Sequence, residues 1–442
     1  MRKVVLFLIA MLSFSTLSSA AAAQANKLKN YNPDPNGEPW YTGLPELTPE
    51  QRVMIQQMPR LQPSLRLLTT KAAATSVDNS TNKYFRPIFN QEGGSCAQAS
   101  GIGYTFTYEM AYLRDLDARI SQNQYPVHYT WNFLNQGTGK GSWYFDGWDI
   151  ARDNGIPDLI TYGDLFTPHP YVEWMSGYDK YYAGMANRTL RYFAIDVSTP
   201  EGIETMRQYM LHHAEGEPVG GIVNLATFMD GVDYNVLAAG TPHAGETIIT
   251  AFGPGNDPES GHAMTFVGYD DTVRYDYNGD GQYTNDIDIN ADGVVDLKDW
   301  EIGAVKLANS WGTSWKNQGF AWVMYRVLAH DRENGERGIQ SKMVNGVEVK
   351  ETNIPKMALK VTMTHSSRSL IRLGAGVADD VDAAVPDQQI SYSLFNYQGG
   401  DWPMRGDSSD AIEIGLDVSK LYEMVGESGA KKFFLIVDEN DP

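Results

Sequence analysis

The sequence contains one cysteine, Cys96, among 442 residues. A single cysteine excludes a disulfide bond within the chain, which is the usual cross-link of exported proteins. A chain of this length can bury a hydrophobic core large enough to fold without cross-links. Cys96 is therefore either a small buried side chain, which is the more common case, or a reactive group. A reactive role requires suitable partner residues elsewhere in the sequence.

Basic residues and long apolar runs are also scarce. Lys and Arg total 35 against 55 for Asp and Glu, which gives a formal net charge of −20. This charge argues against nucleic acids and anionic membrane surfaces as partners. The apolar run at residues 4–14 is too short to remain in a bilayer, and no second stretch approaches membrane length.

The start of the chain has the pattern of a secretory signal peptide. Arg2 and Lys3 precede the apolar run, and small residues follow it up to Ala23. We therefore expect residues 1–23 to be a signal peptide. The mature protein is expected to be secreted or periplasmic, with no membrane association after cleavage.

The rest of the chain divides into three regions. Residues 24–74 are an N-terminal extension or a pro-segment, with one short helix after the N-cap Thr48. Residues 75–350 mix helical and strand patterns, which predicts an α+β fold. Residues 355–442 have short alternating strands and Asp/Gly/Pro turns, which indicate a small β-sandwich. Whether this last domain is truncated stays open, because the chain stops directly after an apolar strand.

Cys96 lies at the predicted start of a buried helix. Apolar residues recur at helical spacing from Ala99 to Leu113. The positive end of the helix dipole favours a thiolate at this position. The two glycines at residues 93–94 let backbone N–H groups approach a ligand, and the amide of Gln91 is a candidate donor to a developing oxyanion.

A histidine and an asparagine are the candidate partners of the thiol. His262 begins a predicted strand, although a surface histidine at a strand end is the ordinary interpretation. His243 competes with it but lies in a turn without a following strand. Asn309 ends another predicted strand and is followed by Trp311. An amide that orients an imidazole behind an aromatic ring is the usual third member of a thiol triad.

These stretches resemble the papain family of cysteine peptidases. The order Gln91, Cys96, His262, Asn309 matches the family. So does the highly specific run from residue 309, Asn-Ser-Trp-Gly-Thr-Ser-Trp-Lys-Asn-Gln-Gly-Phe. The resemblance covers residues 75–330. It implies a papain-like catalytic domain with a helical lobe and a β-barrel-like lobe, followed here by the small all-β C-terminal domain.

The resemblance also implies a role for each residue. Cys96 would be the nucleophile, His262 its partner in a thiolate–imidazolium pair, and Asn309 the group that orients the imidazole. Gln91 and the Cys96 N–H would form the oxyanion hole, and Trp311 would shield the His–Asn contact. The implied activity is hydrolysis of protein or peptide substrates through an acyl-thioenzyme.

The sequence departs from the family near the thiol. Four residues separate Gln91 from Cys96, one fewer than usual, the second cysteine of the loop is missing, and Ala97 replaces an aromatic residue. None of these changes removes a reacting group. Two other functions stay open: a catalytically inactive papain-fold protein used for binding or adhesion, and a transglutaminase-like acyl transferase.

An acidic insertion, residues 270–302, separates the predicted His and Asn strands. Its second half has oxygen side chains and a glycine at EF-hand spacing, with Asp at position 12 as in dockerin calcium loops. We expect a structural Ca²⁺ ion there. Because the loop lies between two core strands, we do not expect a cohesin partner. The candidate ligands are Asp288, Asn290, Asp292, the carbonyl of Val294, Asp296 and Asp299.

The first half of the insertion repeats only the front of this pattern. Asp276, Asn278 and Asp280 match positions 1, 3 and 5, and Gly281 follows. A clear twelfth residue is missing, and Asp286 is the candidate substitute. A second Ca²⁺ ion therefore stays open, with a solvated acidic turn as the alternative.

Overall fold

The structure is a computed structural model that describes residues 28–62, 74–165, 169–425 and 429–440. The predicted signal peptide, residues 1–23, lies outside the described residues. Helices and strands both build the fold, so the predicted α+β class is confirmed. The α-helices span Pro49–Gln57, Cys96–Gln98, Thr107–Leu113, Val127–Leu134, Tyr144–Asp153, Leu159–Tyr162, Tyr178–Gly184, Pro200–His212, Tyr325–Ala329 and Ser419–Val425.

Within the described ranges, none of the helices combines the length and apolar character needed to cross a bilayer.

The helix Pro49–Gln57 begins where the sequence predicts. The N–H of Gln51 donates to Thr48 Oγ1 at 3.2 Å, and the N–H of Thr48 donates to Gln51 Oε1 at 3.0 Å. This reciprocal capping, with a proline at the first helical position, explains the local start. Arg60 then forms a β-bridge with Ala194, which joins the N-terminal region to the main body.

One nine-stranded sheet carries the candidate histidine and leads to the candidate asparagine. Its strands are β1 (Ser76–Asp78), β2 (Thr189–Asp196), β3 (Val223–Phe228), β4 (Asp233–Val236), β5 (Thr247–Ala251), β6 (Gly261–Arg274), β7 (Ile302–Ala308), β8 (Phe320–Met324) and β9 (Met343–Val349). Their order in the sheet is β2-β9-β3-β6-β7-β8-β5-β4, with β1 paired to β6. Strands β6 and β7 are antiparallel, with Thr265 opposite Ala308. The start of β6 therefore meets the end of β7.

The helix that begins at the cysteine changes type along its length. It is α-helical over Cys96–Gln98, a π-helix over Ala99–Phe106, and α-helical again over Thr107–Leu113. The hydroxyl of Thr105 donates to the carbonyl of Ser100, five residues earlier, at 3.1 Å. The apolar spacing predicts the helix but not its π-helical turns, which occur frequently at functional sites.

Two hydrophobic cores flank the junction between this helix and the sheet. One includes Cys96 and Trp148 from the helical part. The other includes Phe266, Leu307 and Trp311 from the sheet. The candidate catalytic side chains therefore lie between a helical part and a sheet part.

The C-terminal region contains a two-stranded and a three-stranded sheet, where the sequence predicts a small all-β domain. It also contains the helix Ser419–Val425. Buried residues of the C-terminal region, such as Leu373 and Ile414, belong to the same core as Cys96 and Trp148. The region is therefore packed onto the helical part. Its strands are β10 (Ala358–Met363) with β13 (Ile412–Asp417), and β12 (Gln388–Asn396), β11 (Ile371–Ala378) and β14 (Lys432–Glu439).

The acidic insertion is shorter than its predicted bounds, 270–302. Strand β6 continues to Arg274, which is paired with Ile302 at the start of β7. The insertion proper is therefore residues 275–301. It joins the end of β6 to the start of β7, so it lies at the ends of these two strands that are farthest from His262 and Asn309.

Candidate active site

The side chains of His262 and Asn309 are in contact, although 47 positions separate them. Nε2 of His262 lies 2.8 Å from Oδ1 of Asn309. Because an amide oxygen only accepts, the ring carries its proton on Nε2. Nδ1 of His262 is buried and has no hydrogen-bond partner among the described residues. The asparagine thus fixes the ring and leaves one nitrogen for chemistry.

Trp311 covers this contact. Its ring stacks on the imidazole of His262 with the centroids 4.6 Å apart. Its indole N–H donates to the carbonyl of Tyr41 at 2.7 Å, and the side chain is 2% exposed. The arrangement keeps water away from the His262–Asn309 hydrogen bond, which strengthens it.

Cys96 is the first residue of its helix and is completely buried. The backbone N–H groups of Ala263 and Ala97 act on the sulfur and favour the thiolate. Ala263 directly follows His262, so the thiol lies beside the histidine strand. Within the described residues, no hydrogen bond joins the sulfur to Nδ1 of His262.

Burial acts against the charged form of both side chains. It raises the pKa of the Cys96 thiol to about 11, although nearby backbone N–H groups oppose the change. Burial lowers the pKa of His262 to about 4, although the hydrogen bond to Asn309 acts in the other direction. Between these two pH values the pair is a thiol and a neutral imidazole. A thiolate–imidazolium pair needs a more polar environment than this one.

Gln91 forms hydrogen bonds with residues on both sides of the site. Its Oε1 accepts the hydroxyl of Ser310 at 2.6 Å, and its Nε2 donates to the carbonyl of Gly93 at 2.9 Å. Its backbone N–H also donates to the carbonyl of Ser310 at 2.7 Å. One amide hydrogen is thus used within the loop before Cys96. The oxyanion-hole role of Gln91 rests on the other hydrogen and stays a prediction.

An N-terminal stretch, residues 38–47, crosses the site; we call it the covering segment. The ring of Trp40 lies parallel to that of Trp311, with centroids 5.7 Å apart. The N–H groups of Gly43 and Leu44 both donate to the carbonyl of Gly261 at 2.9 Å. The N–H of Leu44 also acts on the sulfur of Cys96. The covering segment therefore contributes to the burial of the thiol.

The covering segment passes through a gap lined by glycines. A β-carbon placed on Gly43 would lie 2.6 Å from the Cα of Gly94. A β-carbon placed on Gly141 would lie 1.8 Å from the carbonyl oxygen of Gly43. Both separations are too short for any side chain. The gap therefore accepts bare backbone at this point.

In the second acidic loop most side-chain oxygens accept hydrogen bonds from the backbone N–H groups of the loop itself. Asp299 is completely buried and accepts N–H groups from Ile289, Asn290 and Asp296. Oδ2 of Asp288 accepts the N–H of Gly293 at 2.9 Å, while its Oδ1 is buried and has no hydrogen-bond partner in the part of the chain that the structure describes. A buried carboxylate oxygen without a donor fits a cation-binding loop. No group of three His, Cys, Asp or Glu side chains is assembled as a metal cluster among the described residues.

The first acidic loop is closed by a residue that the sequence did not indicate. Oε1 of Glu301 accepts the N–H of Tyr277 at 2.7 Å and of Asn278 at 3.3 Å. Asp299 accepts the equivalent second and third N–H groups of the other loop. Asp286 instead accepts the hydroxyl of Thr284. Because Glu301 lies 25 positions after Asp276, the twelve-residue pattern does not find it.

Two other parts of the site are not evident from the sequence. Ser310, which holds Gln91, is visible only as part of the run after Asn309. The covering segment is rich in proline and shows no helical or strand periodicity. Its apolar residues Trp40 and Leu44 therefore do not indicate where the segment lies in the fold. The alternative histidine, His243, lies elsewhere, with Nε2 3.0 Å from Oδ2 of Asp270.

No family model matches the chain, and no curated protein matches it. Among solved structures, xylellain, a cysteine protease from Xylella fastidiosa, has 15% identity over 70% of this chain and 95% of its own, with a TM-score of 0.43. Procathepsin B S9 from Trypanosoma congolense has 14% identity over 70% and 86%, with a TM-score of 0.43. Procathepsin L2 from Tenebrio molitor larval midgut has 16% identity over 70% and 84%, with a TM-score of 0.38.

Proposed function

We propose that the protein is a secreted papain-like cysteine peptidase that hydrolyses peptide bonds. The observation that carries this proposal is the 2.8 Å contact between His262 Nε2 and Asn309 Oδ1 beside the buried thiol. A histidine with a purely structural role does not need a buried amide partner, an aromatic cover and an unpartnered second nitrogen. In a thiol triad one ring nitrogen of the histidine is oriented by a third group, and the other serves the nucleophile.

In the uncovered site, Nδ1 of His262 takes the proton of Cys96. The thiolate attacks the carbonyl carbon of the scissile bond, and the N–H of Cys96 with the free amide hydrogen of Gln91 holds the oxyanion. The imidazolium gives its proton to the leaving amine as the C–N bond breaks. Asn309 keeps the ring oriented during both transfers.

The resulting thioester is hydrolysed through the same histidine. His262 accepts a proton from water, and the hydroxide equivalent attacks the thioester carbonyl. The C–S bond then breaks, the acid product leaves, and the proton returns to the thiol–imidazole pair. Trp311 keeps bulk water off the His262–Asn309 contact throughout.

The region before residue 75 acts in this proposal as a pro-segment. Its covering segment occupies the cleft and holds the reacting pair neutral. Activity therefore requires cleavage between the covering segment and the catalytic domain. We use the name processed protein for the chain cleaved within residues 63–73, at an inserted site for a specific protease, with the N-terminal fragment removed.

The function is tested with two substrates for the processed protein. We expect cleavage of casein and of fluorogenic peptides, with no transfer of a biotinylated primary amine onto glutamine side chains. Incorporation of the amine would favour the transferase alternative. Absence of both reactions, with a thiol that iodoacetamide does not alkylate, would favour the inactive binding protein.

We also propose that the second acidic loop binds one structural Ca²⁺ ion. Its ligands would be Asp288, Asn290, Asp292, Asp296, Asp299 and the carbonyl of Val294. The buried, unpartnered Oδ1 of Asp288 supports this proposal. The ion would neutralise a cluster of carboxylates between β6 and β7 and so hold the two strands that carry His262 and Asn309.

Calcium is expected to stabilise the full chain against heat. At a Ca²⁺ concentration one hundred times the dissociation constant, linkage gives about 3 kcal/mol, or a shift of a few degrees in melting temperature. Asp288→Asn is expected to remove this shift. The matched control Asp382→Asn changes an exposed aspartate of the C-terminal region and should keep it. Equal melting curves with Ca²⁺ and with a chelator would contradict the proposal.

A further inference from the structure

A short glycine-rich loop, residues 136–141, forms one wall of the gap beside the thiol; we call it the glycine loop. The N–H of Gly94, two residues before Cys96, donates to the carbonyl of Gly139 at 3.0 Å. The indole of Trp131 holds the next carbonyl, that of Lys140, at 2.8 Å. Gly141 then abuts the covering segment at Gly43. The position of this loop therefore sets the width of the gap.

The outer side of the glycine loop is held by the C-terminal region. The indole N–H of Trp402 donates to the carbonyl of Gly137 at 3.2 Å. A β-carbon on Gly137 would lie 2.4 Å from Cδ1 of Trp402, and one on Gly400 would lie 2.2 Å from the carbonyl oxygen of Gln136. Gly137 and Gly400 both have positive φ, so glycine is required for conformation as well as for space.

Trp402 is itself held by a buried arginine. The backbone N–H of Arg368 donates to the carbonyl of Trp402 at 2.9 Å, and its Nε donates to the carbonyl of Gly399 at 2.8 Å. Its Nη1 donates to the carbonyl of Val172, and its guanidinium lies over the ring of Trp174. Arg368 is completely buried. A rigid connection therefore runs from the helical part, through the C-terminal region, to the glycine loop.

We propose that Trp402 is a positioning residue that presses the glycine loop toward the thiol and makes the protein select glycine at one substrate position. This inference rests on the proposed peptidase function and names its substrate class. The selected position is the one that Gly43 occupies in the covered chain, where the backbone N–H of the next residue, Leu44, acts on the sulfur. A β-carbon there meets Gly94 on one side while the glycine loop closes the other.

The positioning role is tested on the full chain, where Cys96 is the only thiol. Without Trp402 the glycine loop loses the hydrogen bond and the ring contact at Gly137, so the gap should widen and the covering segment should open more often. Trp402→Ala is expected to raise the rate of iodoacetamide alkylation by about tenfold. The control Val385→Ala, at an exposed position of the same region, should react at the wild-type rate.

Two further variants separate positioning from general loss of stability. Trp402→Phe retains an aromatic ring but not the N–H donor, and should fall between the wild type and Trp402→Ala. Gly137→Ala should raise the rate in the wild type, where the β-carbon meets Trp402, and less in the Trp402→Ala background. Additive effects of these two substitutions, or wild-type rates for Trp402→Ala, would overturn the positioning role.

The selectivity is tested on the processed protein with peptides that carry glycine or alanine at successive positions. At one position next to the cleaved bond, kcat/KM should be at least about 30-fold higher for glycine, and Trp402→Ala should reduce this ratio several-fold. Hydrolysis without such a preference would overturn the inference and leave the peptidase function intact. Faster alkylation of Trp402→Ala without hydrolysis of any peptide would retain the positioning role and reject the peptidase function.

Discussion

Replacing Cys96 with serine is expected to lower peptide hydrolysis by the processed protein by at least about 10⁴-fold. Serine retains the shape of the side chain, but its hydroxyl loses a proton far less readily than a thiol. His262 suits a thiol better than a hydroxyl as the group to deprotonate. Its ring is bonded to the neutral amide of Asn309 and not to a carboxylate, which would raise its basicity. The measurement is kcat/KM on a fluorogenic peptide.

The matched control for this substitution is Ser95→Ala. Ser95 precedes Cys96, is equally buried, and its hydroxyl has no hydrogen-bond partner among the described residues. It should therefore keep activity within about twofold of the wild type. A Cys96→Ser protein that retains a tenth of the wild-type rate would show that another residue is the nucleophile.

Processing is expected to raise the alkylation rate of Cys96 at pH 7 by at least about 10³-fold. In the covered chain the pKa of the thiol is about 11, so only a trace is thiolate at neutral pH. Removal of Leu44 and its neighbours exposes the sulfur to water and lets His262 accept its proton. Both changes favour the reactive thiolate. The rate is measured with iodoacetamide, followed by mass spectrometry of the single labelled cysteine.

The pH dependence of the alkylation rate distinguishes a raised pKa of the buried thiol from steric blockage of the thiol. In the covered chain a raised thiol pKa should make the rate increase tenfold per pH unit up to about pH 11. In the processed protein an ion pair should make the rate nearly constant from about pH 5 to 8. His262→Gln should restore the steep profile to the processed protein. Parallel profiles before and after processing would contradict the proposed role of the covering segment.

The individual elements of the fold followed from local patterns. The capping residues around Pro49 and the alternating run after His262 locate their helix and strand because these signals are carried by neighbouring residues. The α+β class follows from the same patterns. The π-helical turns after Gln98 did not follow, because a shift from α to π spacing depends on what the helix packs against.

Long-range pairing determined the contacts of the site. The Asn-Ser-Trp run marks Asn309, but the 2.8 Å contact with His262 depends on the register between β6 and β7. Glu301 closes the first acidic loop from beyond the second one, and no fixed sequence spacing describes such a closure. The same limit applies to Trp402, which meets Gly137 from a position 265 residues away.

The sequence by itself determined which side chains are available: one thiol, a histidine at a strand start, an amide followed by tryptophan, and one acidic loop with EF-hand spacing. Only the tertiary structure decided their state. Residues 38–47 cross the cleft and contribute to the burial of the thiol and the imidazole, which disfavours the charged form of each. The C-terminal region closes the glycine loop from outside. The physical reason is that residue type and spacing carry chemistry and local conformation, whereas burial, which sets pKa values and access, results from segments distant in the chain.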